Sequence, residues 1–206
     1  MGGANVGTYA LLAHKTNPTA RIFAFEPVKT TFEKLKQNTG HIPQIVAIEK
    51  GLFKESCTAE INVFSSDTHA SVVNIEGLNY TTTEKQSIAL VKGDEFLKAN
   101  QIPEVDLLKI DVEGAEFDAI LGFEEHIDKG LIKMIQFEYG YINISTKVLL
   151  LDFYKYFETK GYILGKIFPK TVEFRKYDFK YEDFLGPNFI AVKKSETELI
   201  KLLTKS

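Results

Sequence analysis

Apolar positions along the chain follow two alternating periods. Short runs rich in β-branched residues alternate with stretches where apolar residues recur every three or four positions, which predicts strands alternating with helices. Thr8 to Lys15 reads as a helix ended by Pro18, and Ala20 to Phe25 as a strand closed by Glu26-Pro27. Val28 to Asn38 has helical spacing through Phe32 and Leu35 and stops at Gly40, and Gln44 to Ile48 is a short strand. Residues 51–92 change character. Ala59 to Phe64 and Gln86 to Val91 read as strands, with the polar loop Ser65-Ser66-Asp67-Thr68-His69 and turn-rich sequence between them, which predicts a β excursion or hairpin. Asp94 to Asn100 is a short helix.

The rest of the chain is organised around VDLLKIDVEGAE, residues 105–116. Val105 to Ile110 is a buried-strand pattern that Asp111 ends. From Glu113 a helical pattern begins, with Phe117, Ile120 and Leu121 on one face, and is expected to run to about Asp128. Ile132 to Phe137 is a strand ending in Glu138-Tyr139. A long helix is expected from about Thr146 to Lys160, stopped by Gly161. Tyr162 to Phe168 and Asn188 to Val192 are the last strands, separated by the aromatic and charged stretch Phe174 to Phe184, and Ser195 is expected to cap a terminal helix. This order predicts an α/β domain with a mainly parallel sheet, right-handed crossovers and one antiparallel partner at the far edge. In such sheets ligands bind beyond the carboxyl ends of the strands. Asp111 and Glu113 stand at such an end, either as helix caps or as functional groups.

Composition narrows the chemistry. The 206 residues are 44% hydrophobic and 26% charged, enough for one globular domain. A net charge of −3 gives no electrostatic reason to expect nucleic acid or an anionic membrane. A lone Cys57 excludes an internal disulfide, and His14, His41, His69 and His126 have no metal-ligand spacing. With no long apolar run and no signal peptide, no membrane insertion and a cytoplasmic location are expected.

The opening MGGANVG places Gly2, Gly3 and Gly7 just before a helix, so the backbone can turn tightly and aim N–H groups at a ligand. Adenosine cofactors also need an acidic residue at the end of the second strand, about 20 residues on, to accept from ribose hydroxyls. Glu26 has that spacing from Gly7. A dinucleotide turn wants G-x-G-x-x-G, but counting from Gly2 the second glycine is Ala4, where a pyrophosphate would need close backbone approach. The pattern present is Gly3-x-Asn5-x-Gly7, the glycine turn of S-adenosylmethionine-dependent methyltransferases.

GGANVGTYA, then AFEP at 24–27, then VDLLKIDVEGAE, with NFIAVKK at 188–194, together resemble the FkbM family of methyltransferases over nearly the whole chain. The resemblance implies a class I, Rossmann-like methyltransferase fold and methyl transfer from S-adenosyl-L-methionine to a hydroxyl oxygen of a sugar, glycan or polyketide-like small molecule. It places Gly3, Asn5 and Gly7, with Ala4, at the methionine side of the cofactor. Glu26, beside Pro27, holds the ribose, and Asp111 lies beside the reaction centre. The family has an apolar strand and an acidic residue before the glycine turn, where this chain has Met1. The expectation is therefore a single domain, 1–206, truncated at its N-terminus, whose first strand is missing between the strands ending at Glu26 and Asp111.

A hydroxyl acceptor needs a base or a metal to take its proton. Asp111 is the first candidate base, His69 the second and Glu138 the third. Asp111, Glu113 and Glu138 together are also a candidate Mg²⁺ set, although no metal is assigned. Tyr139, Tyr141, Phe174, Tyr177 and Phe179 either line an acceptor pocket or pack an edge strand. Two rivals to the methyltransferase stand: a nucleotide-dependent oxidoreductase, and a truncated methyltransferase fold that binds a partner without turnover.

Overall fold

The computed structural model describes residues 1–64, 70–71, 82–186 and 188–205. Helix α1 (Thr8–Thr16) follows the glycine turn and leads to β1 (Ile22–Phe25), α2 (Lys29–Thr39) and β2 (Ile45–Ile48). A short strand β3 (Gly51–Phe53) precedes β4 (Cys57–Phe64), β5 (Ala70–Ser71), β6 (Thr82–Lys92) and α3 (Gly93–Ala99). Then come β7 (Val105–Ile110), α4 (Glu116–Leu121), α5 (Glu124–Asp128), β8 (Ile132–Glu138), α6 (Ile142–Thr146) and α7 (Leu150–Thr159). The chain closes with β9 (Tyr162–Phe168), β10 (Thr171–Phe174), β11 (Asn188–Lys193) and α8 (Thr197–Thr204).

The main sheet has two parts. Strands β1 and β2 pair in parallel, and β7 pairs β8 in parallel within a five-stranded set ordered β10-β9-β11-β8-β7. Gly2 stands between the parts, bridging Phe25 on one side and Ile110 on the other. It donates to the Lys109 carbonyl at 2.8 Å and accepts from Asp111 N at 3.2 Å, while Phe25 N donates to the Met1 carbonyl at 3.0 Å. The Met1 ammonium lies inside this seam, donating to the Phe23 carbonyl at 2.6 Å. Burial, and then the nearby Lys109 charge, lower its pKa from 8.0 to about 5.

Alternation along β1 explains the layering. Ile22 and Ala24 face a cluster with Ala10 of α1 and Phe32 and Leu35 of α2. Phe23 and Phe25 face the larger core and meet the edge of Phe96 on α3. On that second face α4, α5 and α7 cover the sheet, with Phe137 stacked on Phe153 at 4.4 Å. Helix α8 covers Val172, Ile190 and Val192 on the first face. Helices therefore lie on both faces. The β excursion forms a separate sheet, ordered β3-β6-β4-β5, with β4 and β6 antiparallel.

Several boundaries differ from the sequence reading. The helix expected from Glu113 starts at Glu116, because Glu113 and Gly114 take left-handed backbone conformations (φ 53° and 105°), and it divides at Gly122 into α4 and α5. The long helix starts at Leu150 instead of Thr146, because Lys147 (φ 59°) separates it from the short α6. The antiparallel strand is not at the edge: β11 runs between β8 and β9, antiparallel to both, and β10 forms the edge by a hairpin onto β9. Glu196, not Ser195, is the cap position of α8, and no side-chain cap hydrogen bond forms there. Among the described residues no helix is long and apolar enough to cross a membrane.

Candidate active site

The glycine turn is fastened on both flanks. On the β1 flank, Ala4 N donates to the Phe25 carbonyl at 2.9 Å, and Asn5 N donates to Glu26 Oε2 at 3.0 Å. The other oxygen of Glu26 accepts from Val28 N at 3.0 Å, one residue past Pro27 and just before α2. Glu26 is buried, which raises its pKa, while the two amide hydrogen bonds oppose that shift. Each carboxylate oxygen keeps a second lone pair for another donor. On the β7 flank, Gly3 (φ +68°) packs so closely that a Cβ would stand 1.6 Å from the Asp111 carbonyl oxygen. Gly7 (φ +94°) is the N-terminal cap position of α1, and a Cβ there would press on Leu35 and Thr39 at 2.9 Å. Asn5 is also left-handed (φ 48°), and its Oδ1 accepts from Val6 N at 2.7 Å. The structure thus brings Gly3, Ala4, Asn5, Gly7, Glu26 and Asp111 together around one turn.

Beyond the carboxyl ends of β7 and β8 lies a group of acids. Asp111 and Glu138 follow the paired positions Ile110 and Phe137, which sets them at neighbouring strand ends. The pKa of Glu138 is pushed up to about 8, first by burial, then by the neighbouring Asp111, with Glu113 and Glu116 adding to it. Burial, then Asp111, lift Glu113 to about 7. Glu116 is only 2% exposed and is also raised to about 7, mainly by burial, although it accepts from Val112 N at 2.9 Å and Gly114 N at 3.0 Å. These bonds explain the delayed start of α4: Glu116 turns back to satisfy the amides of the left-handed turn before it. Lys109 Nζ lies 2.6 Å from Asp111 Oδ2 and 5.1 Å from the centre of the Tyr9 ring. A shallow pocket opens here, lined by Gly114, Glu116, Glu138, Gly140, Tyr141, Ile142 and Asn143.

Other candidates are dispersed. His69 lies outside the described residues. Among the described residues no group of three acid, histidine or cysteine side chains is arranged to hold a metal ion, so Asp111, Glu113 and Glu138 do not form the carboxylate set considered for Mg²⁺. The five aromatic residues do not share a pocket. Tyr139 and Tyr177 both donate to Glu182, Phe174 packs under α8, and Phe179 is 83% exposed, which leaves Tyr141 at the pocket wall. Glu182 also accepts from the first amides of α7, Leu150 N at 3.0 Å and Leu151 N at 2.9 Å, so it ties the 175–186 segment to that helix. Sequence reasoning missed Lys109 and Glu116. The signal for Lys109 was a lysine inside an otherwise apolar strand.

A mainly parallel sheet, helices on both faces, and a glycine turn set between the ends of β1 and β7 define a class I, Rossmann-like methyltransferase fold. Within that class the chain belongs to the FkbM methyltransferase family, whose Methyltransferase FkbM domain matches residues 2–164. Hexuronic acid methyltransferase AglP of Haloferax volcanii is 30% identical over 122 residues, 58% of this chain and 47% of that protein. The 31-O-demethyl-FK506 methyltransferase FkbM of Streptomyces tacrolimicus is 27% identical over 150 residues, 60% of this chain and 58% of that protein. The crystal structure of Methyltransferase FkbM from Methylobacillus flagellatus KT superposes with a TM-score of 0.57 at 15% identity, over 92% of this chain and 42% of that one, a likeness of fold. The chain spans about half the length of the curated relatives it matches.

Proposed function

We propose that this chain carries the catalytic fold of an S-adenosyl-L-methionine-dependent O-methyltransferase acting on a hydroxyl of a small molecule such as a sugar, glycan or polyketide-like acceptor. The observation that carries this reading is the glycine turn hydrogen-bonded to Glu26 on one flank and packed on Asp111 on the other, in a chain of the FkbM family. The residues present fit the cofactor chemically. Glu26 offers buried acceptor oxygens at the end of β1 for ribose hydroxyls, with Pro27 beside it. Gly3, Ala4, Asn5 and Gly7 supply a close-packed turn leading into α1 for the methionine portion.

When bound, the methyl sulfonium supplies an activated electrophile, so the protein's contribution is position and proton removal. Asp111 holds a carboxylate at the strand end with its side chain 38% exposed, open to an acceptor hydroxyl. With the methyl donor held by Gly3, Asn5, Gly7 and Glu26, the Asp111 carboxylate would take the proton of the acceptor hydroxyl. Glu138, at the neighbouring strand end and lining the pocket, offers a second contact for the acceptor.

Calorimetric titration with S-adenosylhomocysteine and, separately, with NAD⁺ tests the cofactor. Saturable binding of the first and none of the second is expected, and the reverse would establish the oxidoreductase instead. Incubation with methyl-¹³C-labelled donor and a panel of hydroxylated acceptors should yield O-methyl carbon resonances. Labelled methyl found on nitrogen or carbon instead would overturn the O-methylation reading.

A further inference from the structure

Ten large apolar side chains stand exposed among the described residues, and they are not spread evenly. Six of them, Tyr141, Ile144, Leu149, Phe168, Phe179 and Leu185, lie at the end of the molecule where the pocket opens. Tyr141 and Ile144 follow the carboxyl end of β8, and Leu149 is the cap position of α7 just after them. Asn188 pairs with Glu138, which brings the approach to β11 to the same end, and Gly186, next to Leu185, packs against Gly140. Lys166 pairs with Phe189, so the β9–β10 hairpin tip at Phe168 reaches past the first residue of β11. The Phe179 carbonyl accepts from Glu182 N, and Glu182 holds the first amides of α7. Phe179 and Leu185 project furthest, at 83% and 82% exposure.

The charges on this rim are also uneven, although the net charge of the chain is negative. The acids of the 175–186 segment and of the start of α7 are engaged: Asp178 with Lys180 at 3.1 Å, Asp183 with Lys166 at 3.4 Å, Asp152 with Leu149 N at 2.9 Å, and Glu182 with four donors. The pocket acids Asp111, Glu113, Glu116 and Glu138 are set back, none of them exposed. Lys147 after α6, Lys170 at the hairpin tip and Lys176 on the 175–186 segment are exposed, and no acid is paired with them among the described residues. Projecting apolar tips interleaved with unpaired lysines match a bilayer surface, where the tips enter the acyl boundary and the ammonium groups meet anionic headgroups. A second copy fits less well, because a two-fold contact sets the same patch against itself and so brings lysine toward lysine. We infer that this rim is a docking surface for an anionic lipid membrane. The chain lies on the bilayer without crossing it, and the pocket opens toward the headgroups.

Vesicle flotation tests the surface with neither methyl donor nor acceptor, so its result is separate from the methyltransferase reading. The 206-residue chain should float with phosphatidylcholine vesicles containing about one-third phosphatidylglycerol, float poorly with phosphatidylcholine alone, and be released by raised salt. Phe179→Ser with Leu185→Ser should lower binding roughly tenfold or more, because two apolar tips no longer enter the bilayer. Lys170→Ala with Lys176→Ala should lower it by about tenfold or more on the anionic vesicles alone. Leu12→Ser, an exposed leucine on α1 away from the rim, should leave it unchanged. No flotation with the anionic vesicles, or equal flotation with both kinds, overturns the inference. So does a folded Phe179→Ser/Leu185→Ser chain that floats like wild type. Sedimentation velocity provides the remaining arm: a wild-type dimer that dissociates in the same double variant, without vesicle binding, assigns the rim to a second copy instead. Should that double variant not fold, the comparison of anionic with neutral vesicles and the salt dependence of the wild-type chain decide the matter.

Discussion

Gly3→Ala should do more damage than its size suggests. The backbone there is left-handed (φ +68°), which costs an alanine about 1 kcal/mol. Its Cβ would stand 1.6 Å from the Asp111 carbonyl oxygen, roughly 2 Å short of ordinary contact. Backbone cannot yield as a side-chain end can, so the turn must lift away from β7. Two hydrogen bonds hold it to β7: Gly2 N to Lys109 and Asp111 N to Gly2. At about 1 kcal/mol each, losing both together with the conformational strain gives a destabilisation of about 3 kcal/mol. That is a large share of the roughly 5–15 kcal/mol available to a folded domain. Urea unfolding followed by circular dichroism measures it, and the same variant should lose S-adenosylhomocysteine binding. The control is Gly2→Ala, whose Cβ would meet only the side-chain carbons of Leu52 and Val112, at 3.1 and 3.3 Å, with an expected cost of about 1 kcal/mol. Equal unfolding midpoints for Gly3→Ala and Gly2→Ala would refute the argument that the turn is locked against β7.

Three further outcomes are expected. The Met1 amine, lowered from 8.0 to about 5, favours the folded state least when protonated, so stability is full above pH 8 and is lost as pH falls toward 5. The chain should be about 2 kcal/mol less stable at pH 6 than at pH 8, and acetylating the amine should flatten that contribution in thermal melts across the range. Glu26→Gln should weaken S-adenosylhomocysteine binding by about 1.5–3 kcal/mol, read by calorimetry alongside a melt of the unliganded chain, because the change also puts an amide group against one of the two N–H donors. Glu182→Ala should cost about 2–3 kcal/mol in urea unfolding, since it strands the buried Tyr139 hydroxyl and the first amides of α7, whereas Phe179→Ala on the same segment should cost little.

Local pattern determined a good deal of this protein. Period and β-branching placed Val105–Ile110, Ile132–Glu138 and Tyr162–Phe168 within a residue or so, because those strands are read from burial that the sequence itself encodes. The glycine spacing, Glu26 and the 105–116 motif pointed to a methyltransferase because turn and strand-end chemistry is short-range. Tertiary structure decided the rest. The order that puts β11 between β8 and β9 depends on pairing across long separations, which no local period records. Left-handed residues at Glu113 and Lys147 cut helices that propensity would continue, since the compensating bonds come from Glu116 in one case and Glu182 at the following α7 in the other. Glu26 was legible as an acid at a strand end, but its two backbone donors come from Asn5 and Val28, which only folding brings to it. Lys109 makes the same point most sharply. In the sequence it is a charge interrupting an apolar strand; in the fold it is a buried cation 2.6 Å from the Asp111 carboxylate, in a group of acids that the ends of β7 and β8 bring together.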